Sequence, residues 1–128
     1  MSAVTAAFAG SPKLSVILPT YNERDNVTPI AQQLLGLENR YNLEIIFVDD
    51  DSQDGTADVV RELAHLHQEV RLIRRVGRAG LSSAIKEGIL DATGDLVVVM
   101  DCDGQHEPAT VLAALRSLQE TGADVQSG

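Results

Sequence analysis

Two carboxylates, Asp101 and Asp103, sit two residues apart just after the β-like run Leu96-Val97-Val98-Val99-Met100. Residues i and i+2 of an extended segment point the same way, so both can face one ion. Gln105 continues the spacing and adds a carbonyl oxygen. An all-oxygen set suits Mg²⁺ or Mn²⁺ rather than zinc. Magnesium commonly takes one or two carboxylates and leaves its other positions to water and substrate phosphates, so the implied ligand is a metal-bound diphosphate. A solvated acidic cap would carry the same D-x-D, but a second acidic loop, Asp49-Asp50-Asp51, favours the metal. Three acids there would repel one another and a phosphate. Asp49 or Asp50 could instead accept from a base N–H or hold ribose hydroxyls, because an ionised carboxylate only accepts. Asp54-Gly55-Thr56 reads as a turn and helix N-cap. Arg74, Arg75 and Arg78 flank Gly77 and Gly80, the one basic cluster of the chain. They could neutralise a diphosphate, or simply form a solvated loop. His65 and His67, two apart on a helix, diverge. His106 directly follows the acidic site.

These residues need a scaffold, and the hydrophobic pattern supplies one. Leu14 to Leu18 reads as a first strand ended by Pro19. Val27, Ile30, Leu34 and Leu35 mark a helix stopping near Gly36, with Pro29 expected in its first turn. Leu43 to Val48 is a second strand, apolar nearly throughout, as a strand buried on both faces should be. Val59, Val60, Leu63 and Leu66 form the stripe of a second helix. Val70 to Ile73 is a weaker strand, placed nearer a sheet edge. Leu81, Ala84, Ile85 and Ile89 mark a third helix. Leu96 to Met100 is a fourth strand, and Pro108 opens a helix through Val111, Leu112, Leu115 and Leu118. Val125 could begin a fifth strand. Alternating strands and helices imply an α/β fold, a Rossmann-like parallel sheet with helices on both faces. Ligands in such sheets lie beyond the carboxyl ends of the strands, where strand order reverses. The segments just after the strands are Pro19-Thr20-Tyr21-Asn22-Glu23, Asp49-Asp50-Asp51-Ser52 and Asp101-Cys102-Asp103-Gly104-Gln105.

Composition narrows the function. The 128 residues hold 19 acids against 10 bases, a net charge of −9, which opposes a nucleic-acid backbone binder. Aromatics are 3% with no Trp, too few for a base-stacking platform. A single Cys102 excludes an intrachain disulfide framework and a cysteine zinc cluster, and fits a reducing, cytoplasmic setting. No apolar run approaches the roughly 20 residues a membrane span needs. Residues 1–12 read as a flexible leader. No G-x-G-x-x-G follows strand 1 and no P-loop exists, so neither the dinucleotide fingerprint nor the Walker motif applies.

Four segments, SVILPTYNERDNV, EIIFVDDDSQDGT, GLSSAIKEGILDATGD and VVMDCDGQHEP, occur in the order seen in family 2 glycosyltransferases of the GT-A fold. The chain resembles that family from residue 13 to about 125. Within it the resemblance runs to the polyprenol- or dolichol-phosphate mannosyltransferases, whose D-A-D-x-Q-H-P motif is similar to Asp101-Cys102-Asp103-Gly104-Gln105-His106-Glu107-Pro108. The resemblance implies that Pro19, Tyr21 and Glu23 help hold the donor nucleotide and that Asp49 or Asp50 recognises base or ribose. It implies that Asp101, Asp103 and Gln105 hold the metal, Asp101 and Asp103 acting in catalysis, with arginines such as Arg78 near the diphosphate. The donor would be a nucleoside-diphosphate sugar, GDP-mannose foremost, and the acceptor a lipid phosphate at the cytoplasmic membrane face. The reaction would be an inverting glycosyl transfer. Asp51 and Cys102 depart mildly from the family pattern, which often has Gly or Asn, and Ala, there.

Residues 13–128 then read as the nucleotide-sugar-binding part of a longer glycosyltransferase domain, cut after about the fourth or fifth strand. The alternative is a non-catalytic nucleotide-sugar or metal-binding module. A phosphoacceptor receiver domain fits the length, but a strand–helix unit precedes IIFVDDD, no Met-Pro follows Asp101, and only 27 residues follow it.

Overall fold

The computed structural model describes residues 13–36, 42–77 and 80–102. Strand β1 (Lys13–Thr20) leads to helix α1 (Arg24–Leu35), β2 (Asn42–Asp49), α2 (Thr56–Leu66), β3 (Val70–Arg74), α3 (Leu81–Asp91) and β4 (Leu96–Val99). All four strands are parallel, in the order β3-β2-β1-β4. The weak third strand lies at the edge, as its mixed pattern implied. The expected helix from Pro108 and the strand from Val125 lie outside the described residues.

The two central strands are buried on both faces, and residue parity decides which face each side chain serves. Leu14, Val16 and Leu18 of β1 join Ile45 and Phe47 of β2 under Val27, Ile30 and Leu34 of α1 and Val60 and Leu63 of α2. Ile17, Ile46 and Val48 meet Ala84 of α3 on the other face. This follows from right-handed crossovers. The chain steps one way through β1, β2 and β3, then returns past β1, so α3 must cross the opposite face.

Helix α3 reaches that face through small residues. A Cβ on Gly88 would lie 2.5 Å from Ile17 Cγ2 and 3.1 Å from Val48 Cγ2. Its expected stripe is therefore corrected: Ala84 and Gly88 are buried, whereas Leu81 and Ile89 are exposed. Leu66 is also exposed, because α2 ends there and His67 is already extended.

Both prolines among the described residues, Pro19 and Pro29, depart from expectation for backbone reasons. Pro19 lies within β1 instead of ending it. Odd-numbered residues of β1 bond toward β4, since Asp95 N–H donates to Lys13 O at 2.7 Å and Met100 N–H to Ile17 O at 3.0 Å. Pairing with β4 ends at Ile17↔Val99, so the missing N–H of Pro19 falls where no partner strand remains. Pro29 sits inside α1, not in its first turn, because the helix already starts at Arg24. That early start is imposed by the neighbouring loop, which accepts the first N–H groups: Glu23 N–H donates to Thr56 Oγ1 at 3.0 Å and Arg24 N–H to Asp54 Oδ2 at 3.2 Å.

Candidate functional site

The strand order reverses between β1 and β4, and a cavity of about 570 Å³ opens there, at the carboxyl ends. Pro19, Thr20, Tyr21 and Glu23 line it from the end of β1, Asp50 from β2, and Asp101 and Cys102 from β4. Gly80, Leu81 and Ala84 bring the first turn of α3 into the wall. Five residues expected at the site, Pro19, Tyr21, Glu23, Asp50 and Asp101, thus share one cavity. Asp103, Gln105 and Arg78 lie outside the described residues, as does His106.

Side-chain hydrogen bonds brace the loops after β1 and β2 against each other. Asn22, at φ 53°, donates its N–H to Ser52 Oγ at 2.8 Å and accepts Gln53 N–H on Oδ1 at 3.0 Å. The Thr56 hydroxyl donates to Asp54, whose carboxyl also takes the N–H groups of Arg24 and Thr56. Led by the Thr56 hydroxyl, these bonds hold the Asp54 carboxyl below its ordinary value. Asp54-Gly55-Thr56 is thus the turn and helix start that its residue types implied. Glu23 is drawn back along α1 by Asn26 Nδ2, which donates to its Oε2 at 2.7 Å.

Asp49 and Asp50 separate by parity. Asp49 is fully buried and accepts the hydroxyls of Thr20 at 2.7 Å and Ser52 at 2.6 Å and the N–H of Ser52 at 3.0 Å. It builds the loop and does not line the cavity. Asp50 does line it, and accepts Gly80 N–H on Oδ2 at 3.1 Å. The basic cluster is corrected too. Arg74 pairs with Asp51 at 2.8 Å on the surface. Arg75 is buried, its Nε 3.3 Å from Asp50 Oδ1, and neither arginine lines the cavity.

Asp101 lines the cavity together with Asp50 and Glu23, and a set of carboxyl side chains is a donor chemistry that fits a hard divalent cation. Among the described residues no group of three metal-ligating side chains is assembled. Sequence reasoning placed Thr20 and Cys102 in the segments at the strand ends without giving them a role, and missed Leu81 and Ala84 as wall residues. Their signal was positional only: each adjoins a strand end or the helix that crosses back to the reversal point.

A parallel sheet with alternating helices, in this strand order and with an acidic cavity at its reversal point, resembles the GT-A glycosyltransferase fold. Residues 15–128 match the glycosyl transferase family 2 model, and the chain belongs to that family. It is 40% identical over 116 residues to a dolichol-phosphate mannosyltransferase of Pyrococcus furiosus, covering 91% of this chain and 32% of that protein. It is 42% identical over 113 residues to the dolichol-phosphate mannosyltransferase of Saccharomyces cerevisiae, covering 86% of this chain and 42% of that one. The mannosyltransferase PcManGT from Pyrobaculum calidifontis, solved in complex with GDP-Man and Mn²⁺, superposes with a TM-score of 0.70 at 31% identity over 84% of this chain and 32% of its own. The chain thus spans about a third to two fifths of the length of these relatives.

Proposed function

We propose that residues 13–128 form the donor-binding part of a mannosyltransferase that uses a nucleoside-diphosphate sugar, GDP-mannose foremost, and a polyprenyl-type lipid phosphate as acceptor. The observation that carries this reading is the cavity at the β1–β4 reversal point, lined by Pro19, Tyr21, Glu23, Asp50 and Asp101. The dolichol-phosphate mannosyltransferase relatives and the GDP-Man complex of PcManGT support it. Asp50 would accept from the nucleoside, with Pro19, Tyr21 and Glu23 shaping the wall beside it. The diphosphate would lie toward Asp101 and the first turn of α3, whose helix N-terminus favours an anion.

Asp101, with Asp103 and Gln105, would hold Mg²⁺ or Mn²⁺; PcManGT was solved with Mn²⁺. A bound cation supplies charge neutralisation for the departing diphosphate. The chain's own residues orient the donor so that the anomeric C–O bond to the diphosphate can break as an acceptor oxygen attacks from the opposite face. Its electron pair leaves with the nucleoside diphosphate, and the sugar inverts. A lipid phosphate with a second pKa of about 6 is largely ionised at neutral pH and needs little general-base help. Among the described residues no helix is long and apolar enough to cross a membrane.

The test is titration of the chain with GDP and with UDP in the presence of Mn²⁺, followed by amide chemical shifts and calorimetry. The reading expects shifts at Tyr21–Glu23, around Asp50 and at Asp101, and weak nucleotide binding without metal. Shifts confined to the outer helix faces would overturn it.

A further inference from the structure

Arg75 directly follows β3 as a buried cation. The residue is 3% exposed, and its polar neighbours come from the end of β2, the loop after it, and α3. Its N–H donates to Asp49 O at 2.8 Å, anchoring the backbone to the end of β2. Its Nη2 donates to Ser83 Oγ of α3 at 2.7 Å, and Glu87 Oε1 of α3 lies 4.0 Å from its Nε. Asp50 Oδ1 lies 3.3 Å from the same Nε. That separation is short enough for a hydrogen bond, yet the groups are not aligned for one: Asp50 Oδ1, Arg75 Nε and Arg75 Nη1 are all buried without a hydrogen-bond partner.

Burying a guanidinium costs several kcal/mol per ion unless charge pairing and hydrogen bonds offset it. Here the pairing is present and the hydrogen bonds are incomplete. Asp50, the other half of the pair, is on the cavity wall. An arginine also keeps its charge under any ordinary condition, so the Asp50 carboxyl faces a fixed cation at 3.3 Å on one side and the Gly80 N–H at 3.1 Å on the other. Through Ser83 and through the Gly80 N–H on Asp50, the same pair ties the start of α3 to the wall.

We propose that Arg75 is a positioning residue for the nucleoside: without touching the ligand, it holds the Asp50 carboxyl at the cavity wall, in a pair loose enough for that carboxyl to turn onto a ligand's hydrogen-bond donor. This rests on the donor-site reading above. A ligand with a nucleoside needs the pair. A bare diphosphate, held toward Asp101, does not.

The experiment compares two probes with Mn²⁺ by calorimetry: the tighter-binding of GDP and UDP, and inorganic diphosphate. Arg75→Gln should weaken the nucleoside diphosphate about tenfold, the scale of one hydrogen bond to a charged group, and leave inorganic diphosphate within about twofold. Arg75→Lys, which keeps the charge but not the planar fork, should recover part of the loss. Combining Arg75→Gln with Asp50→Asn should cost no more than Asp50→Asn alone, since one residue acts through the other. Equal weakening of both probes would mark a merely structural role and overturn the proposal, as would additive losses in the double variant. If Arg75→Gln does not fold, Ser83→Ala decides: freeing Nη2 should lower the nucleoside-to-diphosphate affinity ratio about threefold, and an unchanged ratio overturns the proposal. Wild-type chain that binds inorganic diphosphate but neither nucleotide would remove the donor-site reading and this inference with it. Wild-type binding with an indifferent Arg75 removes this inference alone.

Discussion

One face of the β2–β3 pair carries the same ion pair twice. On β2 the residues of that face run Glu44, Ile46, Val48 and then Asp50; on β3 they run Arg71, Ile73 and then Arg75. Glu44 meets Arg71 at the amino end at 3.1 Å, and Asp50 meets Arg75 at the carboxyl end at 3.3 Å. The surroundings differ. Glu44 accepts the Ser15 hydroxyl at 2.7 Å and the Thr93 N–H at 3.0 Å, and Arg71 also reaches Asp91 at 2.7 Å. Among the described residues, four buried side-chain polar atoms lack a hydrogen bond, and three of them belong to Asp50 and Arg75. The fourth, Arg71 Nε, is the one gap at the amino end. Each such atom costs about 1–3 kcal/mol, and folded proteins concentrate that cost where a ligand will use the group. The amino end, with that single gap, is nearly saturated and reads as structure. The carboxyl end is under-saturated and reads as a site.

Substitutions at the two ends should therefore move different observables. The largest effect is expected at the cavity. Asp101→Ala should reduce Mn²⁺-dependent nucleotide affinity by more than the roughly 10–100-fold that even outer-sphere partners of a metal contribute. The thermal midpoint should hardly change, since Asp101 is exposed. Calorimetry with GDP and Mn²⁺ measures the first and a melt the second; undiminished binding would remove Asp101 from the metal site. Next, Glu44→Ala should destabilise the fold by about 3 kcal/mol, because it strands the buried Ser15 hydroxyl and leaves Arg71 and the half-buried Thr93 N–H without their partner. Denaturant unfolding gives that value, and nucleotide affinity per folded molecule should stay the same. A Glu44 variant that lost affinity would break the division between the ends.

How far this division was legible in the sequence depends on parity and partners. The alternating elements were plain from their apolar runs, and so was the acidic edge, because Asp101 and the Asp49–Asp51 loop directly follow such runs. Choosing between Asp49 and Asp50 required knowing which face each would join. Counting from Ile46 and Val48 places Asp50 on the face crossed by α3, and Asp49 with Phe47 on the other. Glu44 was invisible as a buried group, since a lone acid in an apolar strand has no local signature; its partner Arg71 becomes a neighbour only through strand pairing. Arg75 was grouped with Arg74 and Arg78 as one loop, although alternation sends adjacent side chains of a strand end to opposite sides. Strand order, which brings Asp101 beside Pro19, is written in no single residue; once the order is given, handedness fixes the face that each helix covers.

A smaller perturbation sharpens the amino end. A Cβ on Gly94 would lie 2.5 Å from Ser15 Oγ and 2.8 Å from the Ser15 backbone nitrogen. Backbone cannot step aside as a side-chain tip can, so Gly94→Ala should push Thr93 and Gly94 off Ser15 and Glu44. The expected cost is roughly 1–2 kcal/mol, the low end of overpacking. If denaturant melts show no loss, the loop before β4 is looser than its hydrogen bonds indicate.

The smallest effect is the response to acid, and it too separates the ends. Burial alone would raise the Glu44 pKa; the Thr93 N–H, the Ser15 hydroxyl and the charges of Arg71 and Lys13 together outweigh it and hold Glu44 below its ordinary 4.5. Asp54, beside the cavity loops, is held below 3.8 chiefly by the Thr56 hydroxyl. Both carboxyls therefore bind protons less readily folded than unfolded. The stability they contribute is fully present above their ordinary values and drains away as pH falls through the lowered ones. Thermal midpoints should be level from neutral pH down to about 5 and then decline. Glu44→Gln should lower the plateau and flatten the decline, because the group that takes up a proton on unfolding is gone. Asp54→Asn should flatten it less, since Asp54 sits in water and its bonds compete with solvent. A Glu44→Gln curve parallel to wild type, merely displaced downward, would mean that Glu44 does not change its proton affinity on folding, and the nearly saturated network at the amino end would lose its electrostatic half.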